Sequence, residues 1–224
     1  MDLNQGKYLL ELMKTIDFDL LHSIKGFMDD DEAMQLYNIA LKASKNGPVL
    51  EIGSYCGKSA YIIGSACEKN SSILFSIDHH KGSEEQQQGE EYFDHELFDS
   101  KLSRVNTFPF FQQTILQTSL ENTIVPIVAS SSVAGKMWKT PLSMLFIDGG
   151  HSFEAVYEDF LTWACHIQPK GFLVIHDIFF DPKKGGQAPR KIYDIAIKSG
   201  DYQEFEMIKT LGILQRTAPA RIKV

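Results

Sequence analysis

One stretch decides the fold of this chain: Val49-Leu50-Glu51-Ile52-Gly53-Ser54-Tyr55-Cys56-Gly57. A short apolar run leads into two glycines spaced G-x-x-x-G, and a helix is predicted to open directly after them. Glycine lets the backbone turn sharply and approach a ligand where a Cβ would intrude, and the start of a helix offers free N–H groups to an anion. We interpret the stretch as a buried strand, a ligand-binding turn and a helix start. A glycine pair that only serves strand–helix packing stays open.

From Val49 onward, short apolar runs alternate with longer stretches of helical spacing. Runs that are apolar on both faces and separated by helices are typical of a parallel sheet covered on both sides. After a helix near Ile192–Lys198, two late strand candidates predict an antiparallel hairpin at the sheet edge. The predicted strands are Val49–Ile52, Ile73–Ile77, Ile124–Val128, Met144–Ile147, Phe172–Ile175, Tyr202–Ile208 and Gly212–Arg216.

The length of 224 residues suits one α/β domain with an N-terminal extension. Residues 1–47 are predicted to form a helical extension that packs on the core, and residues 48–224 the ligand-binding domain. Acidic residues at 29–32 should cap a helix that ends at Asn46-Gly47-Pro48. Residues 83–117 are predicted to be a partly helical insertion over the carboxyl edge of the sheet. A solvated surface excursion is the alternative there.

The composition restricts the class of partner. A net charge of −7 and a pI near 5.5 argue against a protein that binds a nucleic-acid backbone. No run of about 18 apolar residues predicts a membrane helix, and the first residues lack the layout of a secretion signal. Three cysteines without a C-x-x-C pair fit a reducing compartment and indicate no structural zinc. We expect a cytoplasmic protein that binds neither nucleic acid nor membrane.

A second element of a nucleoside site follows the first. The strand Phe75-Ser76-Ile77-Asp78 ends in a carboxylate about 25 residues after the glycines, where an acid can accept hydrogen bonds from ribose hydroxyls. A strand-ending aspartate that only caps the next turn is common. The order and spacing of the two elements nevertheless favour a ribose site at Asp78.

Two further strand ends carry candidate catalytic groups. Asp148 and Asp177 end neighbouring predicted strands, which places both carboxylates at the rim where open α/β sheets bind ligands. His151 follows the first of them, and a histidine titrates near neutrality. We therefore expect His151 to be able to act as a general base. His79 and His80 either line the ligand site or face solvent, and His176 is compatible with a hydrogen-bonded interior histidine.

Five motifs lie between residues of about 48 and 180: VLEIGSYCGKSA, FSIDHH, IVASSS, LFIDGGHSFEAVYEDF and PKGFLVIHDIF. In these motifs the chain resembles the class I S-adenosylmethionine-dependent methyltransferases, in particular the bacterial O-methyltransferase-like group called methyltransferase family 24. The resemblance implies a Rossmann-like, seven-stranded, mostly parallel sheet with S-adenosylmethionine at its carboxyl edge.

The resemblance also implies roles for single residues. Asp148 and Asp177 would bind Mg²⁺ or another divalent cation, and His151 would act as base. Relatives usually have Asp or Asn after the second aspartate, where this chain has Ile178, so the metal stays uncertain; Glu91, Asp94 or His95 could complete its ligands. The implied cofactor-binding residues are Glu51, Gly53, Ser54, Tyr55, Gly57, Ser59, Asp78, His79, Ser131, which matches a position near the adenine, Asp148 and Gly149.

The resulting hypothesis is O-methylation of a small-molecule hydroxyl by a chain that is catalytic through His151, Asp148 and Asp177; a homodimer is left open. A nicotinamide-dependent oxidoreductase would want G-x-G-x-x-G after the first strand, and a serine hydrolase would want G-x-S-x-G. A protein that binds the cofactor without turnover is the third alternative. Six aromatic residues either line an acceptor cavity or pack in the core: Phe93, Phe98, Phe108, Phe110, Phe111 and Trp138.

Overall fold

The computed structural model describes residues 16–150 and 152–217. Nine strands are present among them, seven of which form one sheet. The other two, β3 and β4, pair in a short antiparallel ribbon. The strands are β1 Val49–Ile52, β2 Leu74–Asp78, β3 Phe98–Asp99, β4 Arg104–Val105, β5 Ile124–Val128, β6 Leu142–Ile147, β7 Ile167–Ile175, β8 Tyr202–Ile208 and β9 Leu211–Arg216.

The main sheet has the strand order β5-β2-β1-β6-β7-β9-β8. The first five strands are parallel, so that Glu51 in the central strand lies between Ser76 of β2 and Phe146 of β6. Strand β9 runs antiparallel to both β7 and β8. The predicted fold class is confirmed, including the antiparallel C-terminal hairpin. Because the order reverses at β1 and β6, the carboxyl ends of β1, β2 and β6 surround one crevice.

Helices cover both faces of this sheet because alternate strand residues point to opposite sides. The helices are α1 Phe18–Ser23, α2 Asp30–Ala43, α3 Lys58–Lys69, α4 Phe108–Thr118, α5 Ser131–Gly135, α6 Phe153–Trp163 and α7 Ala188–Lys198. On one face, α2, α3 and α4 bury side chains such as Leu36, Ile62 and Phe111 against the sheet. On the other, α6 and α7 bury Phe160 and Ile192.

Helix α2 begins where the acidic run predicts it. The Asp29 side chain accepts from the Asp31 N–H, and the Glu32 side chain accepts from the Asp29 N–H in a capping box. The helix ends at Ala43 and continues as a 3₁₀ turn to Asn46, close to the predicted stop. The described part of the extension therefore lies on the core through α2, and the division at residue 47 stays a prediction.

The segment 83–117 has two different parts. Residues 83–107 hold short 3₁₀ turns and the β3–β4 ribbon, as expected of an excursion over the sheet edge. The rest belongs to α4, the regular crossover helix between β2 and β5, because Phe111 and Ile115 pack into the core. Among the described residues, no helix is both long and apolar enough to cross a membrane.

Candidate active site

A cavity of about 430 Å³ lies at the carboxyl edge of the sheet, where β1, β2, β6 and β7 end. Most of the predicted site residues contribute to its wall. Glu51 and Gly57 do not, and His151 lies outside the described residues. The predicted residues that line the cavity are Gly53, Ser54, Tyr55, Ser59, Asp78, His79, Ser131, Asp148, Gly149 and Asp177.

The two glycines of the opening stretch are required by packing. Gly53 has φ +87°, and a Cβ there would lie 2.1 Å from the carbonyl oxygen of Asp148. Gly57 has φ +94°, and a Cβ there would press on Thr114 and Phe111 of α4. Both positions therefore favour glycine for close approach of protein to protein. This supports the packing alternative for the glycine pair, although the loop that they shape still borders the cavity.

Glu51 lies beneath the cavity and is fully buried. Its two carboxyl oxygens accept hydrogen bonds from Ser59 (2.9 Å) and Ser76 (2.6 Å). Burial raises the pKa of Glu51 to about 8, against the opposing effect of the two hydroxyls. The carboxyl group therefore connects β1 to Ser59 and Ser76 beneath the cavity. Glu51 is not among the described residues that line the cavity.

Asp78 organises the loop after β1. Its Oδ2 accepts from the backbone N–H groups of Ser54 (3.0 Å) and Tyr55 (2.8 Å), and its Oδ1 accepts from His80 N–H. A carboxylate has about four acceptor positions, so capacity for a further donor remains on the cavity side. The Ser54 hydroxyl is buried at the cavity wall without a hydrogen-bond partner among the described residues, as expected where a ligand supplies one.

The two histidines after Asp78 have different surroundings. His79 lines the cavity, and nearly half of its side chain is exposed. His80 is buried beside Phe108 and Phe111, and its Nδ1 lies 2.8 Å from the Thr107 hydroxyl. Burial lowers the pKa of His80. His80 is therefore an interior residue that anchors the start of α4, and only His79 is placed to meet a ligand.

An acidic cluster forms where β6 and β7 end. His176 is buried between two carboxylates, with Nδ1 lying 3.2 Å from Asp148 Oδ1 and 3.6 Å from Asp177 Oδ1. Its Nε2 lies 3.2 Å from Glu32 Oε2 of α2. Burial opposes a charge on the ring, but Asp148 and Glu32 outweigh it and hold the pKa of His176 well above its usual value. His176 therefore connects the rim carboxylates to the N-terminal part of the chain.

Glu32 has a role beyond capping. It is buried, and Oε1 accepts from both the N–H and the hydroxyl of Thr210, each at 2.7 Å. Burial works against ionisation, yet the hydrogen bonds from His176 and Thr210 lower the pKa of Glu32 to about 2. An ionised carboxylate can only accept, so His176 Nε2 carries a proton. Glu32 thereby fixes the orientation of the imidazole ring.

Ile178 occupies the position after the second aspartate, where relatives usually have Asp or Asn, and its side chain offers no ligand to a cation. It is 1% exposed, belongs to the core cluster beneath α6 and α7, and donates its N–H to Thr210. The backbone turns at Asp177, whose φ is +58°, so that Asp177 faces the cavity while Ile178 turns inward. Within the described chain, the group of side chains close enough to share a cation consists of Asp148, His176 and Asp177. Glu91, Asp94 and His95 are not part of it.

Residues distant in sequence meet at one side of the cavity. Lys25, between α1 and α2, lies 2.6 Å from Asp94 Oδ2 and 2.7 Å from Glu96 Oε2 of the insertion. Phe27 stacks on Tyr55 and meets Tyr92 edge-on. The six aromatic residues proposed for an acceptor cavity are not among the described residues that line it. Five of them pack in or against the hydrophobic clusters, as the core-packing alternative expects, and Phe98 meets the ring of Phe93 edge-on. Among the described residues that line the cavity, Phe27 and Tyr55 supply its phenylalanine and tyrosine rings.

A family model described as a methyltransferase domain matches residues 50–178, more than half of the chain. The chain belongs to this methyltransferase family. The matched range contains the turn after β1, Asp78, and both rim aspartates. The resemblance noted from the sequence motifs is thereby confirmed.

Solved structures share the fold of this methyltransferase. A Staphylococcus aureus structure, provisionally described as a caffeoyl-CoA O-methyltransferase, is 14% identical, with 97% of this chain and 100% of that chain covered and a TM-score of 0.63. A Bacillus cereus O-methyltransferase with S-adenosylhomocysteine is 12% identical (95% and 96% covered, TM-score 0.60). TomG from Streptomyces achromogenes, an O-methyltransferase of tomaymycin synthesis in complex with S-adenosylmethionine, is 12% identical (86% and 82%, 0.59). At these identities the likeness shows the fold.

Several residues of the methyltransferase site were not predicted. Glu32 was assigned only to a helix cap, and nothing in local sequence indicates that it reaches a histidine 144 residues away. Lys25 and Phe27 belong to a segment with no motif. Asp159 lies within the motif LFIDGGHSFEAVYEDF, but the motif did not indicate that its side chain is buried at the cavity wall. An acidic residue within an otherwise apolar helix face was the available signal for Asp159.

Proposed function

We propose that this protein transfers the methyl group of S-adenosylmethionine to a hydroxyl oxygen of a small molecule. The observation that carries the proposal is the cavity itself, in which Asp78 faces the same space as Asp148 and Asp177. We assign the first acid to the ribose, and the other two acids line the same cavity. Family membership and O-methyltransferases of the same fold support the assignment.

The charge of the cavity favours this cofactor over a nicotinamide dinucleotide. Four aspartates and three glutamates line the cavity, against two lysines. S-adenosylmethionine carries a sulfonium and an ammonium group, which carboxylates stabilise, whereas the pyrophosphate of NAD would be repelled. The turn after β1 also has the spacing G-x-x-x-G instead of the G-x-G-x-x-G of a dinucleotide site.

In the proposed reaction, a lone pair of the acceptor oxygen attacks the methyl carbon in line with the carbon–sulfur bond. The bond to sulfur breaks, its electron pair stays on sulfur, and S-adenosylhomocysteine is formed. A neutral hydroxyl is a weak nucleophile, so its proton must leave during transfer. We assign the proton to His151, three residues after Asp148 in the sequence. A placed general base contributes about 10²- to 10⁴-fold, and alignment in the closed site contributes the remainder.

The acidic cluster fits a divalent cation. Donor atoms next to each other around a cation with bonds of about 2.1 Å lie roughly 3 Å apart, and His176 Nδ1 lies 3.2 and 3.6 Å from the two aspartate oxygens. We propose Asp148 and Asp177 as ligands, with His176 as a third. A cation bound there would lower the pKa of the acceptor hydroxyl. The mixed carboxylate and imidazole set suits Mn²⁺ or another transition metal at least as well as Mg²⁺.

His176 can act in two ways, and both keep the aspartates in place. With Nε2–H donating to Glu32, a neutral ring offers the Nδ1 lone pair to a cation, and a protonated ring donates Nδ1–H to Asp148. Removal of metal by EDTA followed by readdition of Mn²⁺ or Mg²⁺ separates the two. Activity that is lost and restored supports ligation, and activity indifferent to chelator excludes a catalytic metal.

The cofactor is tested by calorimetry on the purified protein with S-adenosylhomocysteine, S-adenosylmethionine and NAD. We expect the first two to bind and to raise the melting temperature, since a ligand that binds only the native state stabilises it. Binding of NAD alone would contradict the proposal. Binding of S-adenosylmethionine without methyl transfer to any of a panel of phenols, catechols and aliphatic alcohols would favour a binding protein without turnover.

A further inference from the structure

Two segments that are far apart in the sequence form one side of the cavity. Residues 25–28, between α1 and α2, line it together with residues 82–86, which begin the insertion after β2. We call residues 25–28 the N-terminal arm and residues 82–96 the insertion arm. Ile24 and Leu97, which flank the arms, are buried, whereas every residue of the insertion arm is half-buried or exposed. Little apolar burial therefore holds this arm in place.

Ion pairs join the two arms. Lys25 Nζ lies 2.6 Å from Asp94 Oδ2 and 2.7 Å from Glu96 Oε2. The side chains of Lys25 and Asp94 are 32% and 30% exposed. The hydrogen bond between them raises the pKa of Lys25 and lowers that of Asp94, so both groups are charged at neutral pH. The pair is also better sheltered from solvent and salt than a fully exposed one.

The charge of the insertion arm makes Lys25 important for its position. The arm contains six acidic residues and neither lysine nor arginine: Glu84, Glu85, Glu90, Glu91, Asp94 and Glu96. Lys25 pairs with two of these carboxylates, and the acidic run at 29–32 follows it directly. Loss of the Lys25 charge would therefore remove an attraction between the arms and leave carboxylates on both sides to repel one another.

Phe27 connects the N-terminal arm to the wall of the cavity. Its ring, which is 68% exposed, stacks on Tyr55 with 6.4 Å between the ring centroids and meets Tyr92 edge-on at 5.9 Å. The Tyr92 N–H donates to the carbonyl oxygen of Glu85 at 3.1 Å, and Glu85 belongs to the turn that lines the cavity. Separation of the arms would therefore move this part of the wall.

We propose that the two arms form a gate for ligand exchange, and that Lys25 is the residue that holds the gate closed. S-adenosylmethionine enters and S-adenosylhomocysteine leaves when the ion pairs of Lys25 with Asp94 and Glu96 are broken. The inference rests on the proposed function, because it takes these molecules as the ligands of the cavity. Lys25 is a positioning residue that sets how often the cavity opens, and it takes no part in methyl transfer.

The test measures the association and dissociation rate constants of S-adenosylhomocysteine by surface plasmon resonance on the wild type and on Lys25→Met. Methionine keeps an unbranched apolar stem and removes the charge. We expect both rate constants to rise about three- to fivefold, the size expected for partly exposed ion pairs. The Kd should change by less than about twofold, because a change in opening alone multiplies both rate constants by the same factor.

A charge swap separates the gate from a general loss of structure. Lys25→Glu should exchange ligand faster than Lys25→Met, because a further carboxylate then faces the insertion arm. Adding Asp94→Lys to Lys25→Glu restores an attractive pair and should return both rate constants toward the wild-type values. An ionic strength of about 0.5 M, which screens charges over a few ångströms, should accelerate exchange in the wild type and not in Lys25→Met.

Lys209→Met is the matched control, since it removes ion pairs with Asp29 and Asp31 at a position that does not line the cavity, and it should leave both rate constants unchanged. Unchanged rate constants in Lys25→Met overturn the inference. Weaker binding with an unchanged association rate also overturns it, because that result would indicate direct contact of Lys25 with the ligand. A charge swap that does not slow exchange overturns it as well. A wild-type protein that binds no S-adenosyl ligand overturns the proposed function itself.

Discussion

The two halves of the cavity are built in different ways. The β1–β2 half, Gly53 to Tyr55 with Asp78, is held by backbone N–H groups that point at a carboxylate 23 and 24 residues away. The β6–β7 half, Asp148 with His176 and Asp177, depends on Glu32, which lies 144 residues from His176. Local segments can thus shape the loop after β1 that borders the cavity, while a cluster of like charges needs a distant partner to hold it.

Loss of a rim carboxylate should have the largest effect. We expect Asp177→Asn to lower kcat by at least about 100-fold, the range found when a preorganised electrostatic group is removed. Affinity for S-adenosylhomocysteine should change by less than about twofold, because the β1–β2 half is untouched. Calorimetry and turnover measured together check this. Asp181→Asn, an exposed acid of the following loop, is the control, and equal losses in affinity and turnover would show that the halves are not separate.

A substitution in the β1–β2 half should lower the affinity for the cofactor, which a substitution at the rim leaves nearly unchanged. Asp78→Ala removes the acceptor for ribose and the anchor of the Ser54 and Tyr55 N–H groups. We expect affinity for S-adenosylhomocysteine to fall about 10- to 100-fold, as for the loss of hydrogen bonds to a charged group. Asp78→Asn, which keeps the shape and one acceptor, should lie between this variant and the wild type. Unchanged affinity in Asp78→Ala would remove the ribose role.

A substitution of His151, which follows Asp148 by three residues in the sequence, tests the proposed base. We expect His151→Ala to lower turnover at least about tenfold and to leave cofactor affinity nearly unchanged. The acidic limb of the pH–rate profile should disappear with the histidine, because a base must be unprotonated to act. His22→Ala, an exposed histidine on α1, is the control. Full activity in His151→Ala would exclude the base role.

Glu32 of α2 holds His176 of the β6–β7 half. Glu32→Gln removes the charge that holds His176, so we expect turnover to fall about three- to tenfold and the melting temperature to drop, as for a buried group that loses its charged partner. Asp31→Asn removes a similar charge from the exposed side of the same helical turn and should do neither, since surface pairs contribute little. If both variants behave alike, the connection from α2 does not position the rim.

We expect substitution of Glu51 to have the smallest effect on activity. Its effect should appear in the pH dependence of the protein's stability. With a pKa of about 8 in the folded protein, against 4.5 ordinarily, Glu51 binds a proton that the unfolded chain releases between these values. Stability should therefore fall as pH rises through this window, by up to about 1.4 kcal/mol per pH unit. Glu51→Gln should lose that slope in urea denaturation, whereas the exposed Glu68→Gln should keep it. An unchanged slope in Glu51→Gln contradicts the burial argument.

The sequence predicted the first half of the site better than the second. Glycines 53 and 57 and Asp78 belong to a strand–turn–helix–strand unit, where chain order and spacing determine neighbours. Asp148 and Asp177 follow from the parallel sheet, because parallel strands bring their carboxyl ends to one edge. Glu32 and Lys25 could not be found in this way, since their contacts depend on how α2 and the preceding segment pack. Asp159 could be predicted as helical but not as facing the cavity.

By itself, the sequence determined that an α/β methyltransferase sheet of mostly parallel strands forms with an antiparallel C-terminal hairpin, and it predicted the edge of the sheet at which the cavity lies. Periodic apolar runs and glycine turns involve only a few neighbouring residues, so they can be recognised from the sequence alone. Only the tertiary structure decided that the opening stretch Val49–Gly57 serves packing, with Gly53 in close contact with Asp148 and Glu51 buried below the cavity. Whether a residue is buried, and which charges surround it, depends on all the segments that pack around it. No single stretch of sequence determines these properties.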